Sequence, residues 1–376
     1  MQKNIFRKFK LGIISDTRMF LDEERFINES VLREVNSFAP LFNQIIWLGY
    51  HYQGRATSNT SNKILNNVEI KLVPSSGGNS FLEKVKVLFF IPYYFLQILK
   101  VVLKSDIIHT RGPSIPALIT ILISYFFPKK IFWHKYAGDW QRISNTLSYR
   151  FQANLLYRLS HGIIVVSKKN HNDSKNILEW NNPCIYKEEL NGNREKAMQK
   201  NYLSKLTFCF VGRIEDAKGF HLVQNAFGDL LDSEWIDKVH CVGACDKELT
   251  LNANKKFIYH GLINRASLDS VYEKSHFIIL PSVSEGFPKV LIEAASFGCI
   301  PIVSSLESII YHINKIKNNG FLLDAINTES LIDILIDINK NRHELDGMKR
   351  NVLKICDNFT YEKYTENINN IFLSRM

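Results

Sequence analysis

Residues 280–305 read Leu-Pro-Ser-Val-Ser-Glu-Gly-Phe-Pro-Lys-Val-Leu-Ile-Glu-Ala-Ala-Ser-Phe-Gly-Cys-Ile-Pro-Ile-Val-Ser-Ser. The apolar run at 277–280 ends at Pro281 and reads as a buried strand. A polar loop carrying Glu285 and Gly286 follows. Pro288 stands where the first turn of a helix tolerates proline, because the N–H it lacks would have no intrahelical partner. The helix is predicted to run to about Phe297 and to stop at Gly298, the residue type best suited to a left-handed cap. Residues 300–303 form a second strand. The result is a strand–loop–helix–strand unit with two carboxylates, Glu285 in the loop and Glu293 about one and a half turns into the helix.

A carboxylate within so apolar a helix is rarely buried unless something pairs with it. Glu293 therefore lies on the solvent side, or forms an ion pair with a Lys or Arg, or accepts hydrogen bonds from a ligand. A vicinal diol suits a two-oxygen acceptor. Helix geometry alone favours the first two readings.

Glu285 and Glu293 are separated by seven residues within Pro-Ser-x-x-Glu-Gly-Phe-Pro-x-Val-x-x-Glu-Ala. This segment resembles the donor-site signature, Glu-x7-Glu, of retaining glycosyltransferases of family 4. The resemblance implies an α/β fold of the GT-B type, two Rossmann-like domains facing each other across a cleft. It also implies that Glu285, with the backbone around Gly286 and Phe287, holds a donor sugar, and that Glu293 holds the ribose hydroxyls of a nucleotide. A second segment, residues 206–219, runs from an apolar strand into Gly-Arg-Ile-Glu-Asp-Ala-Lys-Gly. Gly212 permits a tight turn at the strand end. Arg213 offers a planar donor fork and Lys218 a point charge, a pair suited to a diphosphate. Taken alone this is a basic turn with surface side chains. It also matches the Gly-Arg-x-x-x-x-Lys-Gly of the same family, which implies that Arg213 and Lys218 stabilise the leaving diphosphate, with Glu285 the third catalytic candidate. Gly261 falls where the family's backbone meets the nucleotide.

The 376 residues, 45% hydrophobic and 22% charged, suit a globular chain of two domains. The resemblance divides them into an acceptor-binding domain at 1–190 and a donor-binding domain at 200–356, with 357–376 crossing back onto the first. Six scattered cysteines without a second metal-ligand pair read as reduced core thiols, which points to a cytoplasmic protein. The basic N-terminus lacks the apolar length of a secretory signal. Residues 1–195 hold 26 Lys+Arg against 15 Asp+Glu, a net of +11, and the remainder is at −1. A basic half attracts phosphates or anionic surfaces, or serves solubility alone. Its aromatics lie in apolar runs and are not interleaved with Arg and Lys as on a nucleic-acid stacking platform, so no nucleic-acid partner is expected.

Strands are expected at 9–15, 44–48, 68–73, 106–110, 131–134 and 162–167, helices at 26–38 and 151–159, and a linker at 181–204 with Asn191-Gly192 as its turn. Open parallel sheets bind ligands beyond the carboxyl ends of their strands. Gly138 and Asp139 are thus candidates for the acceptor side, with His109 and Arg111 beside them. Asp139 is equally suited to capping a helix. Residues 81–104 are strongly apolar, but the longest uncharged run there, 87–99, falls short of the roughly 20 residues that span a bilayer, and Pro92 is expected to break it. A core helix and an interfacial segment with Lys84, Lys86, Lys100 and Lys104 near anionic headgroups both remain open.

The resemblance implies a retaining hexosyl- or N-acetylhexosaminyl-transferase. It would use a UDP- or GDP-sugar on a lipid-linked or oligosaccharide acceptor, in synthesis of a surface polysaccharide such as O-antigen, capsule or lipopolysaccharide. No Asp-x-Asp stands at a strand end, so neither metal nor other cofactor is expected. A peripheral position at the inner face of the plasma membrane follows from a lipid-linked acceptor. A sugar-nucleotide 2-epimerase of the same fold and a non-enzymatic basic binding protein are the alternatives. The first lacks an acidic and His set in the N-terminal half.

Overall fold

The computed structural model describes residues 5–21, 24–53, 57, 60–76, 81–138, 140, 147–230, 232–245 and 255–373. The chain divides into two units, 1–180 and 181–376. Each is a Rossmann-like layer structure built on a parallel sheet.

In the first unit β1 (Lys10–Leu21), β2 (Arg25–Asn28), α1 (Glu29–Phe38), β3 (Gln44–Tyr52), β4 (Thr60–Ser61) and β5 (Val68–Pro74) are followed by α2 (Phe81–Lys104). Then come β6 (Ile107–Gly112), α3 (Ile115–Ser124), β7 (Ile131–Tyr136), α4 (Leu147–Arg158), β8 (Ile163–Val166) and β9 (Ile177–Glu179). The parallel strands lie in the order β5-β3-β1-β6-β7-β8-β9, and β2 and β4 add an antiparallel extension at the far end of β1. β1 runs on to Leu21, beyond the strand expected at 9–15. Its pairing with β3 resumes at Arg18 after a register shift, and β2 pairs with its last three residues. α2 passes through Pro92 without ending. The carbonyl that loses its partner there belongs to exposed Leu88, where water can satisfy it, and Tyr94, Ile98, Val101 and Val102 pin the rest of the helix in the core.

The second unit contains α5 (Lys187–Met198), β10 (Leu206–Val211), α6 (Phe220–Asp229), β11 (Ile236–Val242), β12 (Phe257–Gly261), α7 (Arg265–Lys274) and β13 (Phe277–Leu280). It continues with α8 (Lys289–Ser296), β14 (Ile300–Ser304), α9 (Glu307–Ile310), β15 (Phe321–Leu323), α10 (Thr328–Lys340), α11 (Leu345–Ile355) and α12 (Tyr361–Leu373). Its six strands are all parallel, in the order β12-β11-β10-β13-β14-β15. β10 and β13 are buried along their whole length, as expected of central parallel strands covered on both faces. The segment expected as a linker holds α5. Its polar composition conceals Leu190 and Ala197, seven residues apart, which are both buried. Leu190 packs with Ile292 of α8 and Val352 of α11. Asn191 and Gly192 lie inside this helix and form no turn.

Candidate functional site

The carboxyl ends of β10 to β14 meet in the second unit, and three glycines fix their loops. The Gly212 N–H donates to the Val242 carbonyl at 2.9 Å. Gly243 sits at φ +149°, and a Cβ there would fall 1.8 Å from the Gly212 oxygen, so the two strand ends touch backbone to backbone. Gly219, at φ +71°, closes the turn after Asp216–Lys218, and a Cβ there would fall 2.2 Å from the Pro281 oxygen. The Val283 N–H donates to the Ala217 carbonyl at 3.1 Å. The Gly-Arg loop and the Glu285 loop are thereby locked together.

The lock sets the side chains. Lys218 Nζ lies 2.5 Å from Glu285 Oε1, and the Ser282 hydroxyl donates to the same oxygen at 3.0 Å. The Ser308 hydroxyl donates to the Glu285 carbonyl at 2.9 Å. Arg213, on the same loop, is 66% exposed at its side chain, with Nη1 3.4 Å from Glu215 Oε2. The structure thus brings Lys218 and Glu285 into contact and leaves the Arg213 guanidinium facing outward.

Glu293 is 7% exposed. The helix that carries it, α8, starts after Pro288, which serves as the N-cap, one position before the first helical turn. Arg265, the first residue of α7, places Nη1 2.7 Å from Glu293 Oε1 and Nε 2.9 Å from Asp269 Oδ1. The Tyr272 hydroxyl stands 3.5 Å from Glu293 Oε2. Burial alone would lower the Arg265 pKa, but Glu293 and Asp269 outweigh it and hold the guanidinium above its ordinary range. Burial, then the Glu293 charge, keeps the Tyr272 hydroxyl protonated. Of the three readings of Glu293, ion pairing is the one observed. Arg265, Tyr272, Ser282 and Ser308 were missed from sequence. Arg265 had a signal, because Asn264 caps α7 and puts its neighbour at the helix start beside the strand ends.

Gly286 is exposed at the mouth of the loop. The Phe287 ring stacks on Phe359 at 4.8 Å and meets the His312 edge at 4.7 Å, so only its backbone is left for a ligand. Gly261 ends β12 at φ +63°, exposed, with its carbonyl accepting from the Gly243 N–H at 2.9 Å.

In the first unit the acceptor-side candidates separate. His109 is fully enclosed, stacked 3.8 Å over Trp133, with Nδ1 3.1 Å from the Trp133 carbonyl oxygen. Burial and then Arg111 hold its pKa well below the ordinary value, so it is a neutral core side chain and does not line a ligand site. Arg111, one pleat further along β6, is bound bidentately by Glu34 of α1 at 2.5 and 3.3 Å. Lys135 of β7 reaches the same carboxylate at 2.6 Å. Glu34 is wholly buried, and neither it nor Lys135 stood out in the sequence, although Glu34 lies one turn before Phe38 on the packed side of its helix. Gly138 is half-buried beside the Tyr136 ring, where a Cβ would sit at 3.0 Å. Asp139 lies outside the described residues. Among the described residues no three His, Cys, Asp or Glu side chains converge as metal ligands.

Three comparisons bear on this geometry. An uncharacterized glycosyltransferase of Haemophilus influenzae is 31% identical over 163 residues, 39% of this chain and 44% of the relative. The chain spans less than half the length of the curated relatives it matches. The crystal structure of Anabaena Alr3699/HepE in complex with UDP and glucose is similar over 98% of this chain and 100% of that one, with a TM-score of 0.68 at 11% identity. The lipopolysaccharide outer core galactosyltransferase WaaB is similar over 98% and 100%, with a TM-score of 0.62 at 15% identity. These likenesses show the fold, which is that of the GT-B glycosyltransferases. In sequence, residues 193–354 of the second unit match the family model for glycosyl transferases group 1.

Proposed function

We propose that this protein is a retaining glycosyltransferase that moves a hexosyl or N-acetylhexosaminyl group from a nucleoside-diphosphate sugar to a saccharide or lipid-linked acceptor. The observation that carries the reading is the Lys218–Glu285 pair, locked by Gly219 against Pro281 at the strand ends of the segment that matches the glycosyl transferases group 1 model. Glu285 accepts sugar hydroxyls, and Glu293, held by Arg265, accepts the ribose hydroxyls. Lys218 and Arg213 face the diphosphate. As the anomeric carbon–oxygen bond to the diphosphate breaks, the charge released onto the leaving phosphate is met by these two cations. The acceptor oxygen bonds to the same carbon, and its proton passes to the leaving phosphate, so no protein base and no metal is called for. Lys218 is already in contact with Glu285, so a donor entering here exchanges part of an existing ion pair and does not meet an unpaired charge.

The acceptor is assigned to the basic first unit, where Gly138 lies at the carboxyl end of β7. Uracil is the favoured base because structural neighbours include complexes with UDP and with UDP-glucose. A role in lipopolysaccharide or a related surface polysaccharide is supported by the likeness to WaaB and WaaG. A thermal-shift panel of UDP-, GDP-, ADP- and dTDP-sugars tests the reading. One nucleotide sugar is expected to raise the unfolding temperature, and Glu293→Gln to abolish that rise. If no nucleotide or nucleotide sugar shifts the transition, the donor assignment is wrong.

A further inference from the structure

Helices α2, α3 and α4 follow connections that all step the same way along the sheet, β5 to β6, β6 to β7 and β7 to β8. Right-handed crossovers therefore place the three on one face. The connection from β1 to β3 steps the other way and puts α1 on the opposite face. Packing agrees with this. Residues of α2 and α3 cluster with Ile108 and Phe132, whereas Phe38 of α1 packs on His109 and Trp133.

The outer side of the three-helix layer is apolar and uncovered. Only 22% of residues 87–104 of α2 are buried, too few for an interior helix. Phe89, Leu96 and Leu103 recur every seven residues, two helical turns apart, on the side away from Tyr94 and Ile98. Phe89 is 80% exposed, Phe126 just past α3 is 82% exposed, and Leu147 at the start of α4 is 82% exposed. A soluble surface rarely leaves so many large apolar side chains together. Their charged neighbours have one sign. Residues 81–104, 115–130 and 147–158, which make up the three helices and the segment after α3, hold eight Lys/Arg and one Asp/Glu, and Lys100, Lys104, Lys129, Arg150 and Arg158 are all exposed. Apolar side chains interspersed with cations complement a lipid surface bearing anionic headgroups, which accepts both at the same depth.

We propose that α2, α3 and α4 together form a docking face for an anionic bilayer. α2 lies along the face with one side in the core, Phe89, Leu96 and Phe126 enter the acyl boundary, and the Lys and Arg side chains meet lipid phosphates. The inference extends the interfacial reading from one helix to three and is independent of the donor site.

Co-sedimentation with vesicles of phosphatidylcholine, with and without about 30% phosphatidylglycerol, tests it at about 0.1 M and 0.5 M NaCl. The full chain is expected to sediment with anionic vesicles at the lower salt and to be largely released at the higher. Phe89→Ser with Phe126→Ser, and separately Lys100→Glu with Lys129→Glu, are expected to weaken retention at least tenfold, with unchanged unfolding temperature and unchanged nucleotide binding. Failure of the donor panel would leave this result standing. The proposal is overturned if anionic vesicles retain nothing, or if the variants are retained like the parent. It is also overturned if the lipid-free protein self-associates through this face and Phe89→Ser with Phe126→Ser makes it monomeric, since a second copy is then the occupant.

Discussion

Glu293→Gln keeps the shape of the side chain and removes its charge. Arg265 would then retain only Asp269 in a buried position, and one lost charged hydrogen bond is worth about 1.5–3 kcal/mol. If Glu293 also accepts ribose hydroxyls, the nucleotide dissociation constant rises by about tenfold or more. Calorimetric titration separates the two roles, because a carboxylate that serves only Arg265 would lower the unfolding temperature and leave affinity unchanged. Lys218→Ala acts on a different quantity. Removing a preorganised donor to developing charge costs about 10²–10³ in turnover, with smaller loss of ground-state binding. Arg213→Ala should fall in the same direction but less far, since that guanidinium is largely exposed and pairs with Glu215 only at 3.4 Å. Parental turnover in both Lys218→Ala and Arg213→Ala would remove these two cations from the reaction. At this scale the sequence was informative about which residues gather and uninformative about their partners. Glu285 and Lys218 stand in recognisable segments, whereas Arg265 and Glu34 come from stretches whose patterns say only helix. A buried ion pair depends on which element packs opposite, and that is long-range information.

Elements were most legible where burial is two-sided. The strands expected at 277–280 and 206–211 are observed with those bounds, because a central parallel strand must be apolar throughout. Elements whose apolar content is sparse were misread, α5 above all. Its two buried positions are too few to announce a helix against so much Asn, Lys and Glu. The break expected at Pro92 is absent from α2, because the packing of Tyr94, Ile98, Val101 and Val102 offsets the local penalty. Glycine substitutions test both kinds of element. Gly192 lies inside α5 with nothing within 4 Å of an added Cβ. Gly192→Ala should therefore stabilise by about 0.5–1 kcal/mol. For a unit of this size that is an increase of about 2 °C in unfolding temperature. A fall would mean that 187–198 is not helical in solution. Gly219→Ala should do the opposite, because φ is positive and the Pro281 carbonyl stands in the way. It should lower the unfolding temperature, and it should also cut turnover in the folded fraction by separating Lys218 from Glu285.

Over the whole molecule, charge sets the two units apart and burial couples both to pH. The positive excess belongs to the first half, which carries the three-helix face, while in the second unit Lys218 pairs with Glu285 and Arg265 with Glu293. Both units also bury histidine. Burial, then the nearby His161, pushes His134 down to about 3, and burial, then Lys200, pushes His276 down to about 4. Unfolded histidine titrates near 6.5. Between these values the unfolded chain binds a proton that the folded chain refuses, so stability rises with pH through that window. The contribution is complete above pH 6.5 and is lost as pH falls toward 4 for His276 and toward 3 for His134. Each costs about 1.4 kcal/mol per pH unit. Scanning calorimetry should show little change between pH 8 and 7 and a marked fall in unfolding temperature between pH 6.5 and 5. Because His134 lies in the first unit and His276 in the second, both transitions should move if the units unfold separately. A transition that stays fixed down to pH 5 would mean that the buried histidines of that unit, His109 and His134 in the first or His240, His276 and His312 in the second, are hydrated or protonated in the folded state, and that the burial deduced for that unit is wrong.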